Sequence, residues 1–344
     1  MQTRRTFLKI MTASAAFILP LVNWPMRLIG EIEKKLSDPE AKLTLPEEAD
    51  AAALPAWEQA LRRSALDDII TLSASGMEGR RAGTAGDGKA AAYLIQQLKS
   101  LGLKPLGEGE NSYAQAFTVP PTALQKVNGR LVFRPDENGG LRAPSSNLIA
   151  VLPGEEEEKI LLSAHFDHLG IYQGNIYPGA NDNASGVGCV LDVMRQLVRE
   201  QAKPRKTIVV AFWSGEEMGF VGSDYFVNYP TFPLSTLKGV LNADTVANGD
   251  LGSFALWAEN NNLVVSALQT AAQTCNATAP IVASDGHNSD HISFASVGIP
   301  AATLMSKEWL NQNHTPEDTF SIIKPDQLKL ATAIIDQAVR TLAF

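Results

Sequence analysis

Beyond residue 147 the chain sets short, almost unbroken apolar runs against stretches with helical spacing. The runs are "NLIAVL", "KILLSAHFD", "TIVVAFWS", "GVLNAD", "SFALWA" and "PAATLM". Runs of this length are consistent with strands buried on both faces. "ASGVGCVLDVMRQLVRE", "NLVVSALQTAAQTC" and the closing "KPDQLKLATAIIDQAVRTLAF" carry the 3.6-residue period of helices. Strands alternating with helices predict an α/β sheet covered on both sides. Upstream, one helix is expected over residues 57–75, and a glycine-punctuated loop leads into a second that stops near Gly102. "NSYAQAFTV" and "GRLVFRP" are expected as strands of an early meander, and Glu155 to Glu158 as a solvated turn.

In open sheets of this class, ligands bind beyond the carboxyl ends of the strands. That directs attention to the polar residues closing each run. His165, Asp167 and His168 follow one strand, Glu216 and Glu217 a second, and Asp244 a third. Asp182 lies in the loop "PGANDNASGVG", and His314 in "QNHTPEDT". Singly these are ordinary residues: Asp182 could cap a helix and Asp244 could sit in a turn. Several loops converging on one sheet edge favour a site, and imidazole with carboxylate but no thiolate suits zinc or a similar divalent ion.

Composition narrows the choice. A net charge of −8 over 344 residues gives no basic surface for tracking phosphates, so nucleic acid is not expected as a partner. The two cysteines, Cys189 and Cys275, cannot build a disulfide scaffold, and neither is assigned a catalytic role. At the N-terminus, "TRRTFLK" followed by a short apolar segment resembles a twin-arginine export signal. Residues 1–30 are therefore expected to be an export signal or anchor, residues 31–56 a linker, and residues 57–344 the catalytic domain. An exported protein of the bacterial periplasm or cell envelope follows, with the twin-arginine export machinery as a partner and a possible membrane tether.

The series "HFDHLG", "GANDNASG", "SGEEMGFVGS", "NADTVA", "SDH" and "NHTPEDT", with "EGRRAGTAGDGKAAAYL" upstream, resembles the M28 family of zinc aminopeptidases over roughly residues 65–344. The resemblance implies a three-layer α/β/α sandwich with a mostly parallel mixed central sheet, and no inserted domain between Phe117 and Asn147. It implies two zinc ions: His165 and Asp244 on one, Glu217 and His314 on the other, Asp182 bridging. Asp167 would orient the His165 imidazole and Glu216 would act as general base. A cis Asp182-Asn183 bond belongs to the same expectation.

Within it, His168 is expected to be structural, Asp290 to bond a ligand or the substrate amine, and His287 to have no task. The implied activity is release of N-terminal residues from peptides with a free N-terminus. The alternatives are a glutaminyl cyclase-like transferase and a non-catalytic, metal-stabilised binding module.

Overall fold

The computed structural model describes residues 55–127, 129–136, 139–140, 142–283 and 286–344. The export segment and nearly all of the expected linker thus lie outside the described residues. Among those described, no helix is long and apolar enough to cross a membrane.

An eight-stranded sheet runs through the domain. Its path is β1 (Lys104–Pro105), β5 (Ala143–Leu152), β9 (Lys206–Trp213), β6 (Glu156–His165), β10 (Leu237–Ala243), β12 (Ala301–Ser306) and β11 (Phe254–Trp257). β2 (Ala114–Val119) pairs with β5 beside this path. The centre, β9-β6-β10-β12, is parallel, and the flanking pairs are antiparallel.

Side-chain alternation sorts the apolar runs onto two faces. Leu148, Ile160, Leu162, Ile208, Val210 and Leu241 join one core with helices α2 (Ala65–Leu72), α3 (Ala85–Ser100), α4 (Gly186–Arg199), α6 (Leu263–Thr274) and α8 (Pro325–Ala343). Ile149, Leu161, Val209, Ala211, Trp213 and Val240 face the other way, onto Phe226 of α5 (Val221–Asn228) and Phe294 of α7 (His291–Ala295). Helices on both faces of one sheet make the expected three-layer α/β/α sandwich. Cys189 is a free, buried thiol within the larger core.

Three local expectations need correction. Residues 57–75 form two principal helices rather than one: α1 (Ala56–Arg62) stops, and α2 starts afresh at Ser64. The Ser64 hydroxyl accepts from the Asp67 N–H while Asp67 accepts from the Ser64 N–H, a capping box that favours a new helix start. "GRLVFRP" does form a strand, β4 (Arg130–Pro135), but it pairs with β3 (Thr122–Val127) in a separate hairpin while β2 joins the main sheet. The acids Glu156 to Glu158 belong to β6 and not to a turn before it, and a register shift follows Glu156.

The β3–β4 hairpin is an arm on the domain. It packs Leu131, Leu124 and Phe133 against Leu169 and against Tyr172 and Tyr177 of the short hairpin β7 (Gly170–Tyr172) and β8 (Asn175–Tyr177) that follows it. Arg81 ties the base of the arm, donating to the Thr122 carbonyl at 2.7 Å and lying over the Phe133 ring.

Candidate functional site

Parallel strands β6, β9 and β10 all end at the same edge, and each continues into an acid or an imidazole. His165 is the last residue of β6, Glu216 and Glu217 come three and four residues after the end of β9, and Asp244 follows β10 directly. Gly215, at φ +79°, turns the chain out of β9 in a conformation that a side chain would strain.

Asp182 reaches this edge through a loop of small and amide residues. Asn183 donates to the Ala243 carbonyl at 2.9 Å and accepts from the N–H groups of Gly186 and Thr245. Asn181 accepts from Ala247 N–H and Ser185 from Val246 N–H. These bonds stitch the start of α4 to the end of β10, which fixes Asp182 relative to Asp244. From behind, Asp318 accepts from the N–H groups of Asn181 and Asp182. The Asp182-Asn183 bond is cis, as expected.

The five expected ligand residues converge. His165 Nε2 lies 3.4 Å from Asp182 Oδ1 and 3.5 Å from Asp244 Oδ1. His314 Nε2 lies 3.2 Å from Asp182 Oδ2 and 2.9 Å from Glu217 Oε2. The two oxygens of Asp182 thus face separate ligand pairs, the arrangement a bridging carboxylate requires.

Both imidazoles are held by their other nitrogen. His165 Nδ1 donates to the Asp167 carbonyl at 3.2 Å, and His314 Nδ1 to the Leu131 carbonyl of the arm at 2.6 Å. Such bonds fix the orientation of each ring and aim Nε2 at the cluster. It is the main chain of Asp167, rather than the expected carboxylate, that bonds the His165 ring. Its carboxylate, 3.7 Å from His165 Nδ1, also accepts from the Glu216 N–H.

The adjacent glutamates are driven apart. Burial pushes the Glu217 carboxyl upward, but the charge of His314 and the bond from His168 outweigh it and hold the group down at about 2. Glu216 is raised well above the usual range, first by burial and then by Asp290 and Asp244, against the pull of His165. Glu216 lines the cleft of about 500 Å³ that opens over the cluster.

Several contributors were not anticipated. His168, expected to be structural, donates from Nδ1 to Glu217 Oε1 at 2.7 Å, leaving Oε2 to face His314. It forms with Asp182, Glu217 and His314 one of two groups able to hold a metal; His165, Asp182 and Asp244 form the other. Ser289, not Asp290, touches an expected ligand: its hydroxyl donates to Asp244 Oδ2 at 2.7 Å and accepts from Asn242. Asp290 instead accepts from Ser223 at 2.6 Å. His287, expected to be idle, lines the cleft. Arg80, fully buried, donates to the carbonyls of Leu72, Phe166, Pro178 and Gly179, binding the loop after β6 to the loop that carries Asp182. The glycine-rich loop upstream was legible; its reach across the fold was not.

A model of peptidase family M28 matches residues 147–339, more than half of the chain. The chain belongs to peptidase family M28. Among curated relatives, leupeptin-inactivating enzyme 1 of Streptomyces exfoliatus is 29% identical over 166 residues, covering 48% of this chain and 36% of that protein. Carboxypeptidase Q of Homo sapiens is 23% identical over 263 residues, covering 71% of this chain and 54% of that protein. The chain therefore spans between about a third and about half the length of these relatives.

Among solved structures, BSAP, a zinc aminopeptidase from Bacillus subtilis, superposes with a TM-score of 0.66 at 18% identity, covering 81% of this chain and 94% of that one. The glutaminyl cyclase of Porphyromonas gingivalis gives 0.61 at 20% identity, covering 81% and 97%. Both share the fold of this M28 chain.

The donor set fits divalent metal. Carboxylates and imidazoles, without thiolate, crowd two overlapping groups whose ligand atoms lie within 4.8 Å of one another. So many buried carboxylates call for more positive charge than the neighbouring imidazoles offer.

Proposed function

We propose that this M28 chain is a zinc-dependent exopeptidase, an aminopeptidase that hydrolyses the first peptide bond of substrates with a free N-terminus. The observation that carries the reading is the split of Asp182, whose two oxygens face His165 with Asp244 on one side and Glu217 with His314 on the other. In this reading His165 and Asp244 hold one zinc ion, Glu217 and His314 the second, and Asp182 both. His168 keeps the Glu217 carboxylate turned so that one oxygen remains for the ion. The ions supply Lewis acidity toward water and toward the scissile carbonyl.

Everything else is done by the chain. Glu216, anchored at its N–H by Asp167, takes a proton from the attacking water and returns it to the leaving amine. Its place in the wall of the cleft, beside the ligand Glu217, puts it within reach of that water. A positioned general base of this kind contributes about 10²- to 10⁴-fold.

The glutaminyl cyclase fold is shared, but two ligand sets about one bridging acid favour hydrolysis over ring closure. The segment "TRRTFLK" supports export to the periplasm or cell envelope by the twin-arginine machinery, with a tether through the apolar segment after it.

The test is a panel of short peptides with free and acetylated N-termini, incubated with the zinc-supplemented protein. Release of the N-terminal residue from free peptides alone is expected. Equal cleavage of acetylated peptides contradicts an aminopeptidase, and ammonia release from glutaminyl peptides without cleavage supports the cyclase.

A further inference from the structure

The wall of the cleft facing the strand ends is built by the arm, and the reaction described above leaves its main polar group unused. Arg130 opens β4 at the tip of the arm and lines the cleft. Its guanidinium lies 5.4 Å from the centre of the Trp309 ring, its Nη2 donates to Asn313 Oδ1, and its Nη1 stands 3.4 Å from His287 Nδ1. Trp309 is itself braced edge-on by Trp257 and His287. The cation is therefore held in one orientation before any substrate arrives.

These described partners are an aromatic face, an amide oxygen and an imidazole; none is anionic. Arg130 Nε is buried without a partner among the described residues. A guanidinium carries five N–H donors in a fork that matches a carboxylate. Asn313 and His287 leave some of these N–H donors unengaged.

Position limits which carboxylate it is. Asn313 bonds Arg130 through its oxygen and Asp182 Oδ2 through its nitrogen, the latter at 2.5 Å, so a single amide group separates the guanidinium from the bridging acid. Successive Cα atoms of a peptide are about 3.8 Å apart. With the scissile carbonyl at the cluster, a residue beside the scissile bond comes within reach of Arg130.

We infer that Arg130 binds a carboxylate on the residue immediately after the scissile bond and so selects the substrates of this site. The inference rests on the hydrolytic reading proposed above. The carboxylate has two possible sources: the C-terminus of a dipeptide, or an acidic side chain in a longer peptide.

The test measures kcat/KM of the zinc-loaded protein, and of Arg130→Gln and Arg130→Lys, on Leu-Ala, Leu-Ala-amide, Leu-Glu-amide and Leu-Gln-amide. A charge-assisted pair predicts that wild type prefers a carboxylate by about 10- to 100-fold, mainly through KM. Preference for Leu-Ala over its amide identifies the C-terminus, and preference for Leu-Glu-amide over Leu-Gln-amide identifies the side chain. In Arg130→Gln the preference collapses to about twofold or less, while Arg130→Lys keeps part of it. A merely structural arginine would slow all four substrates alike and leave the ratios unchanged, which overturns the proposal, as does a wild type with both ratios near one. If wild type cleaves none of the four, the hydrolytic reading fails and this inference falls with it.

Discussion

The two sides of the cleft are built differently. On one side, His165 closes a buried parallel strand, and Asp244, Glu216 and Glu217 lie within four residues of the ends of two others, so the sheet anchors them closely. On the other, Arg130, Trp309, Asn313 and His314 come from a two-stranded arm and a loop, joined by a ring contact and single hydrogen bonds. Chemistry that tolerates little displacement sits on the rigid side, and selection among substrates on the side that can vary. Asp182 and His314 are where the two meet.

If that contrast is real, equivalent cavities on the two sides have unequal consequences. Leu162 is buried in the central sheet, and Leu162→Ala is expected to destabilise the whole domain by about 2–5 kcal/mol, read as a lower denaturation midpoint. Leu131 is equally apolar and buried but lies in the arm. Leu131→Ala is expected to lose hydrogen-exchange protection in residues 122–135 and to raise KM, with a smaller shift of the global midpoint. Equal midpoint shifts would break the comparison.

The next largest effect lies on the rigid side. Ser289 orients Asp244 without belonging to the ligand set, and Ser289→Ala is expected to weaken zinc binding by about 10- to 100-fold. Unchanged affinity in a zinc competition titration would show that the strand alone fixes Asp244.

The smallest effect concerns pH. Burial lowers the His291 imidazole to about 4, so it stays neutral in the fold while the unfolded chain gains its proton near pH 6.5. Its contribution is fully present above pH 6.5 and is lost as pH falls from 6.5 toward 4. His291→Gln should flatten that part of the stability profile relative to wild type; parallel profiles would refute the assignment.

The contrast also explains what could be read from the chain itself. Strand-end acids were legible because an apolar run followed at once by Asp, Glu or His is a local pattern. Asp182 stood out in its amide-rich loop for the same reason. The arm was not: Arg130 meets Asn313 and His314 meets the Leu131 carbonyl across 183 residues, and no local spacing encodes either contact. His168 was expected to be structural, but its partner, Glu217, lies on another strand's loop and no local spacing names it. The break at Ser64 was within reach, since Ser-x-x-Asp is a capping signal, but the helical period running through it masked the signal.

The central claim is the division of labour between Glu216 and Glu217. Glu216→Gln should be assayed for zinc content and peptide turnover on the same preparation as wild type. Zinc is expected at the wild-type level and turnover reduced by at least about 10²-fold. A variant that keeps wild-type turnover, or that loses its zinc, would contradict it.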